Sequence, residues 1–185
     1  MNQGPLGFPG KQGLRTAVAG LFYLAGPDGT PTGSNGTLTL DRLFAIPFNL
    51  TGRWDRIDMN QLGTASSYAR LGIFSDGGNR PNELLWDFGQ MTMSASGVAS
   101  IPINFENTER IWIAAVGQGV APSTSRLGAP PVNRNVPTTD HYSLGFAGGA
   151  YYLDSVSGSL PKRWGSTMNT MISANAIPMV WLRSY

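Results

Sequence analysis

The chain contains no cysteine among its 185 residues, and only one histidine. Disulfide bonds and thiolate metal sites are therefore excluded, and a transition-metal site built from several histidines cannot form. His141 alone would have to serve a Ser–His–Asp triad, and its neighbour Asp140 is poorly placed to orient the ring. We predict a protein that is not an enzyme, with no catalytic residue, no metal site and no cofactor.

Charge is also scarce. Charged residues make up 13% of the chain, and the formal net charge is +2, whereas an average chain has about twice that charged share. The basic residues are scattered rather than clustered, so we expect no nucleic-acid partner. There is no run of 18 apolar residues, which predicts no membrane insertion. A signal peptide is not expected either, because the first apolar run follows a Gly/Pro segment.

Glycine is abundant, and near the start it falls at every third position: Gly4, Gly7, Gly10 and Gly13. In a collagen triple helix every third residue faces a crowded axis that has no room for a Cβ atom. We therefore interpret residues 1–15 as the end of a collagen-like stalk and the protein as a homotrimer. A flexible linker or the scar of a cleaved tag are the alternatives, but a scar does not explain why the period continues to Gly13. Because four triplets span only about 35 Å, a longer stalk or the head itself must hold the trimer.

After the repeat, short apolar segments alternate with turn signals, and none has a helical period. Regularly spaced short strands are typical of sandwiches and barrels. We predict an all-β fold, a jelly-roll-like antiparallel β-sandwich head over residues 41–185, after a neck strand and loop over residues 16–40. About eight to ten strands are expected. The predicted strands are 42–50, 54–62, 68–75, 83–89, 98–105, 110–116, 141–146, 151–153 and 177–182.

Three segments are apolar on both faces: Thr16–Ala25, Arg110–Val116 and Ile177–Leu182. Such strands are buried on both sides, so we expect them to be central strands or contacts between subunits of the trimer. Residues 118–140 carry four prolines and predict a long loop, which in compact domains is usually functional or mobile.

A set of strands and turns between Arg42 and Gly117 resembles a known family. It is carried by Leu43–Phe48, Arg56–Asp58, Ala69–Phe74, Asp76–Gly78, Pro81, Leu84-Leu85, Asp87–Gly89, Gly97, Ile101–Ile103 and Ile111–Ala114. Leu160-Pro161 and Val180–Arg183 extend it towards the end of the chain. The pattern is similar to a domain of bacteriophage minor tail proteins, especially those of phages of actinobacteria, and it contains no catalytic motif.

The resemblance implies a trimeric tail-fibre or tail-tip head in the virion, made in the host cytoplasm and joined to other tail proteins through its N-terminal stalk. Its expected partner is a host cell-surface polysaccharide or cell-wall glycan, bound non-covalently with avidity from several sites. Three rival functions remain open. The first rival is a structural trimerisation cap or spacer of a tail fibre, the second is an enzyme that degrades cell-wall glycan, and the third is a cellular surface protein with a collagen-like stalk.

Sugar sites combine an aromatic face with hydrogen-bonding groups, and the polar segment around Trp164 fits this best. We predict an exposed Trp164 that meets an anionic glycan together with Lys162 and Arg163. The other candidates are Tyr151, Tyr152, Arg126, Arg134 and His141. For every aromatic, ordinary packing is the alternative; Trp112 and Trp181 are expected in the core, and Trp54 and Trp86 are undecided.

Two groupings of carboxylates bear on other chemistry. Asp76–Asn79 with Glu83 offers oxygen ligands to Ca²⁺, but a glycine-rich hairpin turn is the favoured interpretation. Glu106 and Glu109 are close in sequence, whereas a glycosidase needs two carboxyl groups about 5–10 Å apart across a sugar. We expect both glutamates in one solvated turn.

Overall fold

The computed structural model describes residues 15–25, 33–78, 80–127, 151–165, 169–170 and 177–185. Within these ranges the protein is all-β and contains no helix, which confirms the predicted fold class. The strands are β1 Arg15–Thr16, β2 Phe22–Leu24, β3 Gly33–Thr37, β4 Leu43–Phe48, β5 Leu50–Leu62, β6 Ser67–Asp76, β7 Pro81–Thr92, β8 Ser96–Asn107, β9 Ile111–Gly119, β10 Ser123–Leu127, β11 Tyr151–Leu153, β12 Asn169–Thr170 and β13 Val180–Ser184.

The strands form two sheets that pack as a sandwich. A seven-stranded sheet has the order β2-β13-β5-β10-β3, with β1 and β8 also paired to β5, and a six-stranded sheet has the order β12-β11-β4-β9-β6-β7. The strands pair antiparallel except β1, which runs parallel to β5. From β3 to β10 successive strands lie in different sheets at every step except from β6 to β7. This repeated crossing is the jelly-roll-like arrangement that the sequence predicted.

The main core lies between the sheets and follows the period-two alternation of the strands. Ile57 and Met59 of β5 are buried against the other sheet, to which Ala69, Leu71 and Ile73 of β6 contribute. These inward faces are those predicted, because successive residues of a strand point to opposite faces.

A second core lies on the outer face of the six-stranded sheet. Residues 154–165, which we name the strap, cross that face and bury Val156, Leu160 and Trp164 against a set that includes Trp112 of β9. Strand β9 is therefore covered on both sides, as a central strand should be. The alternative expectation for Arg110–Val116, that it contacts another subunit, is wrong, because the strap of the same chain occupies its outer face.

Asp87 fixes the middle of the strap to β7. Its carboxylate accepts hydrogen bonds from Arg70 Nη2 at 2.8 Å and from Arg70 Nε, which is 3.0 Å from both oxygens, and one from the Gly89 amide at 2.9 Å. Burial alone would raise the pKa of the Asp87 carboxyl, but the hydrogen bonds from Arg70, from Gly89 and from the Leu160 amide outweigh burial and lower that pKa. The strap thus depends on an ionised, half-buried carboxylate as well as on apolar packing.

The strand register defines two ends of the sandwich. Arg15 pairs with Leu50 at the start of β5, and the end at which these residues lie is named the stalk end. The turns after β4, β6 and β8 and the last residue of the chain also lie there, because the antiparallel partners of β5 run towards it. The far end carries the turns at 63–66, 93–95 and 120–122.

The N-terminal part of the described chain belongs to the sandwich rather than to a separate neck. Thr16–Ala25, predicted as one strand or neck, forms β1 and β2 on either side of a turn at Gly20, whose φ is 78°. Gly33–Thr37, predicted as loop, pairs instead with Ser123–Leu127. The prediction of one long loop over residues 118–140 was wrong at its start, because Ser123–Leu127 form strand β10. Neither β3 nor β10 shows an apolar alternation in its sequence. The two strands are held together mainly by the hydrogen bonds between their backbones.

Some predictions lie outside the described residues. They include the collagen-like glycines Gly4, Gly7, Gly10 and Gly13, and the strand predicted at 141–146. Among the described residues, Pro47 lies in the part of β4 beyond the last pair with β11, at Ala45. On its other side Pro47 is in register with Trp112 of β9, so this proline, which lacks a backbone donor, has a strand neighbour on one side only among the described residues.

Candidate functional site

A cleft of about 500 Å³ opens at the stalk end of the seven-stranded sheet. Its walls come from three distant parts of the sequence, the beginning of β5, the second half of β8 and the residue after β13. The lining residues are Arg53, Trp54, Asp55, Ile103, Asn104, Glu106 and Tyr185. We name this feature the stalk-end cleft.

A β-bulge shapes the floor of the cleft. Trp54 pairs with Phe105 and Arg56 pairs with Pro102, so Asp55 alone faces two residues of β8, Ile103 and Asn104. An extra residue bends the strand and re-aims its side chains. The bulge therefore brings Asn104 to the cleft, beside the apolar Ile103.

Two ion pairs hold the carboxylates of the cleft. Arg53 Nε donates to Glu106 Oε2 at 3.0 Å, and Arg183 donates to both oxygens of Asp55 at 2.8 and 2.5 Å. The hydrogen bond from Arg183 keeps the pKa of the Asp55 carboxyl below its usual value. Asp55 is therefore an ionised acceptor at neutral pH, fixed by its partner.

Tyr185 supplies an accessible aromatic ring at the rim. The residue is 78% exposed, while its backbone amide donates to the Arg53 carbonyl at 2.9 Å. The main chain is thus anchored and the ring is free to meet a ligand. Concave sites that bind small ligands combine such apolar surface with a few convergent polar groups, and Asn104, Asp55 and Glu106 are the polar groups here.

Trp164, predicted to be an exposed platform, is buried. It is only 5% exposed, and its ring packs edge-on against Phe74 with the centroids 5.3 Å apart. The prediction was wrong because the polar neighbours of Trp164 mark only the outer side of the strap, while the indole points into the second core. Its Nε1–H has no hydrogen-bond partner among the residues that the structure describes.

The basic neighbours Lys162 and Arg163 are exposed, as predicted. Arg163 forms an ion pair with Glu83, and the Lys162 carbonyl accepts a hydrogen bond from the Leu84 amide at 2.9 Å. This part of the strap therefore extends the edge of β7 and holds Arg163 against an acidic partner.

The two predicted tyrosines are half-buried on β11. The Tyr151 ring packs against Trp112 with the centroids 5.4 Å apart, in the same second core as Trp164. Tyr152 lies under the guanidinium of Arg42, whose Cζ is 4.4 Å from the ring centroid. Both rings thus have packing partners, which is the alternative that the sequence left open.

The remaining predicted site residues do not join them. Arg126 lies on β10, where its Nη2 donates to the Asn35 carbonyl at 3.2 Å. Arg134 and His141 lie outside the described residues. The structure therefore unites Tyr151 and Trp164 in a packed core, and it places none of the predicted residues that it describes in the stalk-end cleft.

The hairpin interpretation of Asp76–Asn79 is confirmed for its described residues. The Gly77 amide donates to the Arg80 carbonyl at 2.7 Å, and Asp76 accepts from Trp112 Nε1 at 2.8 Å with Arg110 4.0 Å away. No cluster of three or more potential ligands from His, Cys, Asp or Glu occurs in the described part of the chain. Nor does that part hold a helix long and apolar enough to cross a membrane.

The fold and cleft define an antiparallel β-sandwich with a polar site that has one exposed aromatic ring. No protein-family model and no curated protein matches the chain. A similar solved structure contains the cysteine protease and lectin-like domains of Cwp84, a surface layer associated protein of Clostridium difficile, at 9% identity and a TM-score of 0.47. The match covers 82% of this chain, which spans 36% of that structure's length. A likeness at this level carries no argument about ligands or activity.

Proposed function

We propose that the protein is a carbohydrate-binding head of a phage tail fibre or tail tip and that the stalk-end cleft binds a glycan of the host surface. The observation that carries the proposal is the exposed ring of Tyr185 beside Asn104, Asp55 and Glu106. The apolar face of a sugar ring packs on an aromatic side chain, and its hydroxyls bond to carboxylate, amide and guanidinium groups.

The charge of the cleft favours a neutral sugar. The carboxylates of Asp55 and Glu106 are each paired with an arginine, Arg183 and Arg53, so the cleft has no excess positive charge that would attract an anionic ligand. The expectation of an anionic glycan came from Lys162 and Arg163, which do not line this cleft.

The pKa of Asp55 supports binding rather than catalysis. A glycosidase needs a carboxylic acid that stays protonated near neutral pH, so its pKa is raised. The hydrogen bond from Arg183 lowers the pKa of Asp55, and Glu106 is held in an ion pair with Arg53. We therefore propose adsorption without bond cleavage.

The phage assignment rests on the collagen-like repeat before the sandwich and on the resemblance of residues 42–117 to minor tail proteins. In a homotrimer, three clefts on one stalk would bind a polysaccharide together, so that weak single sites give strong adsorption through a high effective concentration. Virion location, the homotrimer and contact with other tail proteins through the stalk are parts of this proposal.

The test is binding of the full chain to arrays of neutral and anionic glycans and to host envelope polysaccharide. We expect binding to neutral glycans, weakened about tenfold or more by Tyr185→Ala and by Asn104→Ala, as for a contact worth about 1.4 kcal/mol or more. The matched control is Trp86→Ala, which removes an aromatic ring that is 47% exposed but outside the cleft, and it should leave affinity unchanged. Binding to no glycan or envelope fraction overturns the proposal, and release of reducing sugar would replace it with an enzyme.

A further inference from the structure

Three large apolar side chains are exposed in the short segment that follows the collagen-like repeat. Val18 is 63% exposed, Leu21 52% and Phe22 47%. No charged residue occurs between Thr16 and Ala25. We name these three side chains the apolar patch. Depletion of charge is what distinguishes the buried centre of a protein interface from ordinary surface.

The main chain under the patch is fixed. The Ala17 amide donates to the Thr51 carbonyl at 2.9 Å, the Gly20 amide to the Ser184 carbonyl at 3.0 Å, and the Ser184 amide to the Leu21 carbonyl at 3.0 Å. The exposure of the patch is therefore a property of a defined surface. The guanidinium of Arg56, 4.8 Å from the Phe22 ring centroid, covers one face of that ring.

We propose that the apolar patch is the surface at which three copies of this chain pack around the axis of the stalk. The inference rests on the homotrimer of the proposed function but not on its glycan binding. A triple helix holds three chains together up to its last glycine, and Gly13 is only two residues before Arg15, which is paired to β5. At roughly 3 Å per residue, each patch must lie close to the other two.

Position separates this patch from the exposed apolar side chains that do not line the stalk-end cleft. Leu40 and Val120, 42% and 48% exposed, lie at the far end, where the stalk does not hold the copies together. Leu85, Trp86 and Val98 lie on β7 and β8, away from the repeat. The outer face of β9 is covered by the strap, so it cannot serve. If three heads are joined at the repeat, the apolar patch is therefore the first surface at which they contact one another.

The experiment measures the mass of the full chain by sedimentation equilibrium. We expect wild type at three times the chain mass, and the variant Val18→Ser/Leu21→Ser/Phe22→Ser at the chain mass. The matched control Leu40→Ser/Val120→Ser, with two exposed apolar residues changed at the far end, should stay trimeric. Val18→Arg alone is the second variant, and a cooperative thermal transition in each sample shows that the head is folded.

A second arm separates head from stalk. Gly7→Ala/Gly10→Ala interrupts the repeat, and we expect it to remain trimeric because the patch holds the heads. A monomeric wild type, a trimeric patch variant, or a monomeric repeat variant overturns the inference. A trimer that binds no glycan would overturn the proposed glycan binding and leave this interface standing, whereas a monomer that binds glycan would overturn the interface and the homotrimer and leave the glycan binding standing.

Discussion

Trp164 meets Phe74 edge-on, with the two ring planes at 88° and the centroids 5.3 Å apart. This pair joins the strap to the outer face of β6. Edge-to-face aromatic contacts add to the stabilisation that burial gives. Trp164 therefore stabilises the sandwich by fixing the strap to β6.

The first prediction is that Trp164→Ala lowers the free energy of unfolding by about 3–5 kcal/mol, as expected for a large aromatic removed from a core. Denaturant unfolding followed by circular dichroism measures the loss. Trp86→Ala is the control: that residue is 47% exposed, so its loss should be about 1 kcal/mol or less. Equal losses for the two tryptophans would contradict the buried position of Trp164.

The second prediction concerns Asp87 and pH. Asp87→Asn keeps the shape but removes the charge that Arg70 and two backbone amides bind, so we expect a loss of about 1–3 kcal/mol at pH 7. Because the folded state lowers the pKa of Asp87 from its usual 3.8, this stabilisation is present above that value. It disappears as the pH falls through the lower folded pKa.

Unfolding free energies of wild type and Asp87→Asn between pH 7 and pH 2 test this. The difference between the two proteins should shrink with acid over the range below pH 4. As a control, Asp154→Asn changes a carboxylate that is 48% exposed in its pair with Arg42, and it should show a much smaller difference. A gap for Asp87 that is constant with pH would refute the electrostatic explanation.

The third prediction concerns the fit of the strap on β6. A Cβ atom at Gly72 would lie 2.3 Å from Leu160 Cδ1 and 2.7 Å from the Trp86 carbonyl oxygen. The backbone oxygen cannot move cheaply, so Gly72→Ala should destabilise the fold by about 1–3 kcal/mol. At Gly165 the nearest atom to an added Cβ is Leu153 Cδ1 at 3.8 Å. Gly165→Ala should therefore keep the wild-type melting temperature, and the prediction fails if both variants melt alike.

The fourth prediction concerns the support of the stalk-end cleft. Trp54 Nε1 donates to Asn107 Oδ1 at 2.6 Å, in a buried position. Asn107 Nδ2 in turn donates to the carbonyls of Leu50 and Glu109 at 2.8 and 2.7 Å. Asn107→Ala leaves the buried indole N–H and two carbonyls unpaired, so we expect a loss of at least about 1–3 kcal/mol.

Chemical denaturation of Asn107→Ala beside the exposed Asn104→Ala separates support from binding. The Asn107 variant should lose stability, whereas the Asn104 variant should unfold at the wild-type denaturant concentration. If the Asn107 variant is as stable as wild type, the hydrogen bonds of Asn107 to Trp54, Leu50 and Glu109 do not stabilise the fold, and the prediction is wrong.

The fold was predictable where burial follows the period of the strand. Ile57 and Met59 of β5 and Leu71 and Ile73 of β6 face the main core as predicted, because alternate residues of a strand point to the same face of its sheet. Strands β3 and β10 were not predictable, since their pairing satisfies backbone groups and leaves little apolar pattern in the sequence.

The cleft was not predictable because it depends on long-range register. Arg183 and Asp55 form their ion pair across 128 positions of sequence, and Asn104 reaches the cleft through a bulge with no local signal. The order Arg183-Ser184-Tyr185 after an apolar strand, a charged and an aromatic side chain together, was the single visible hint. The prediction for Trp164 failed because its polar sequence neighbours face solvent on one side of the strap, whereas the indole faces the second core on the other side.

The parallel pairing of β1 with β5 has a mechanical consequence. A pull on the residues before Arg15 is directed along β1 and along β2, which runs from Phe22 at the stalk end towards Leu24, beside β13. The hydrogen bonds to Leu50, Thr51 and β13 then lie across the direction of force and must break together rather than one after another. A sandwich pulled from this point therefore resists tension in shear, and no single hydrogen bond of these strands carries the load alone.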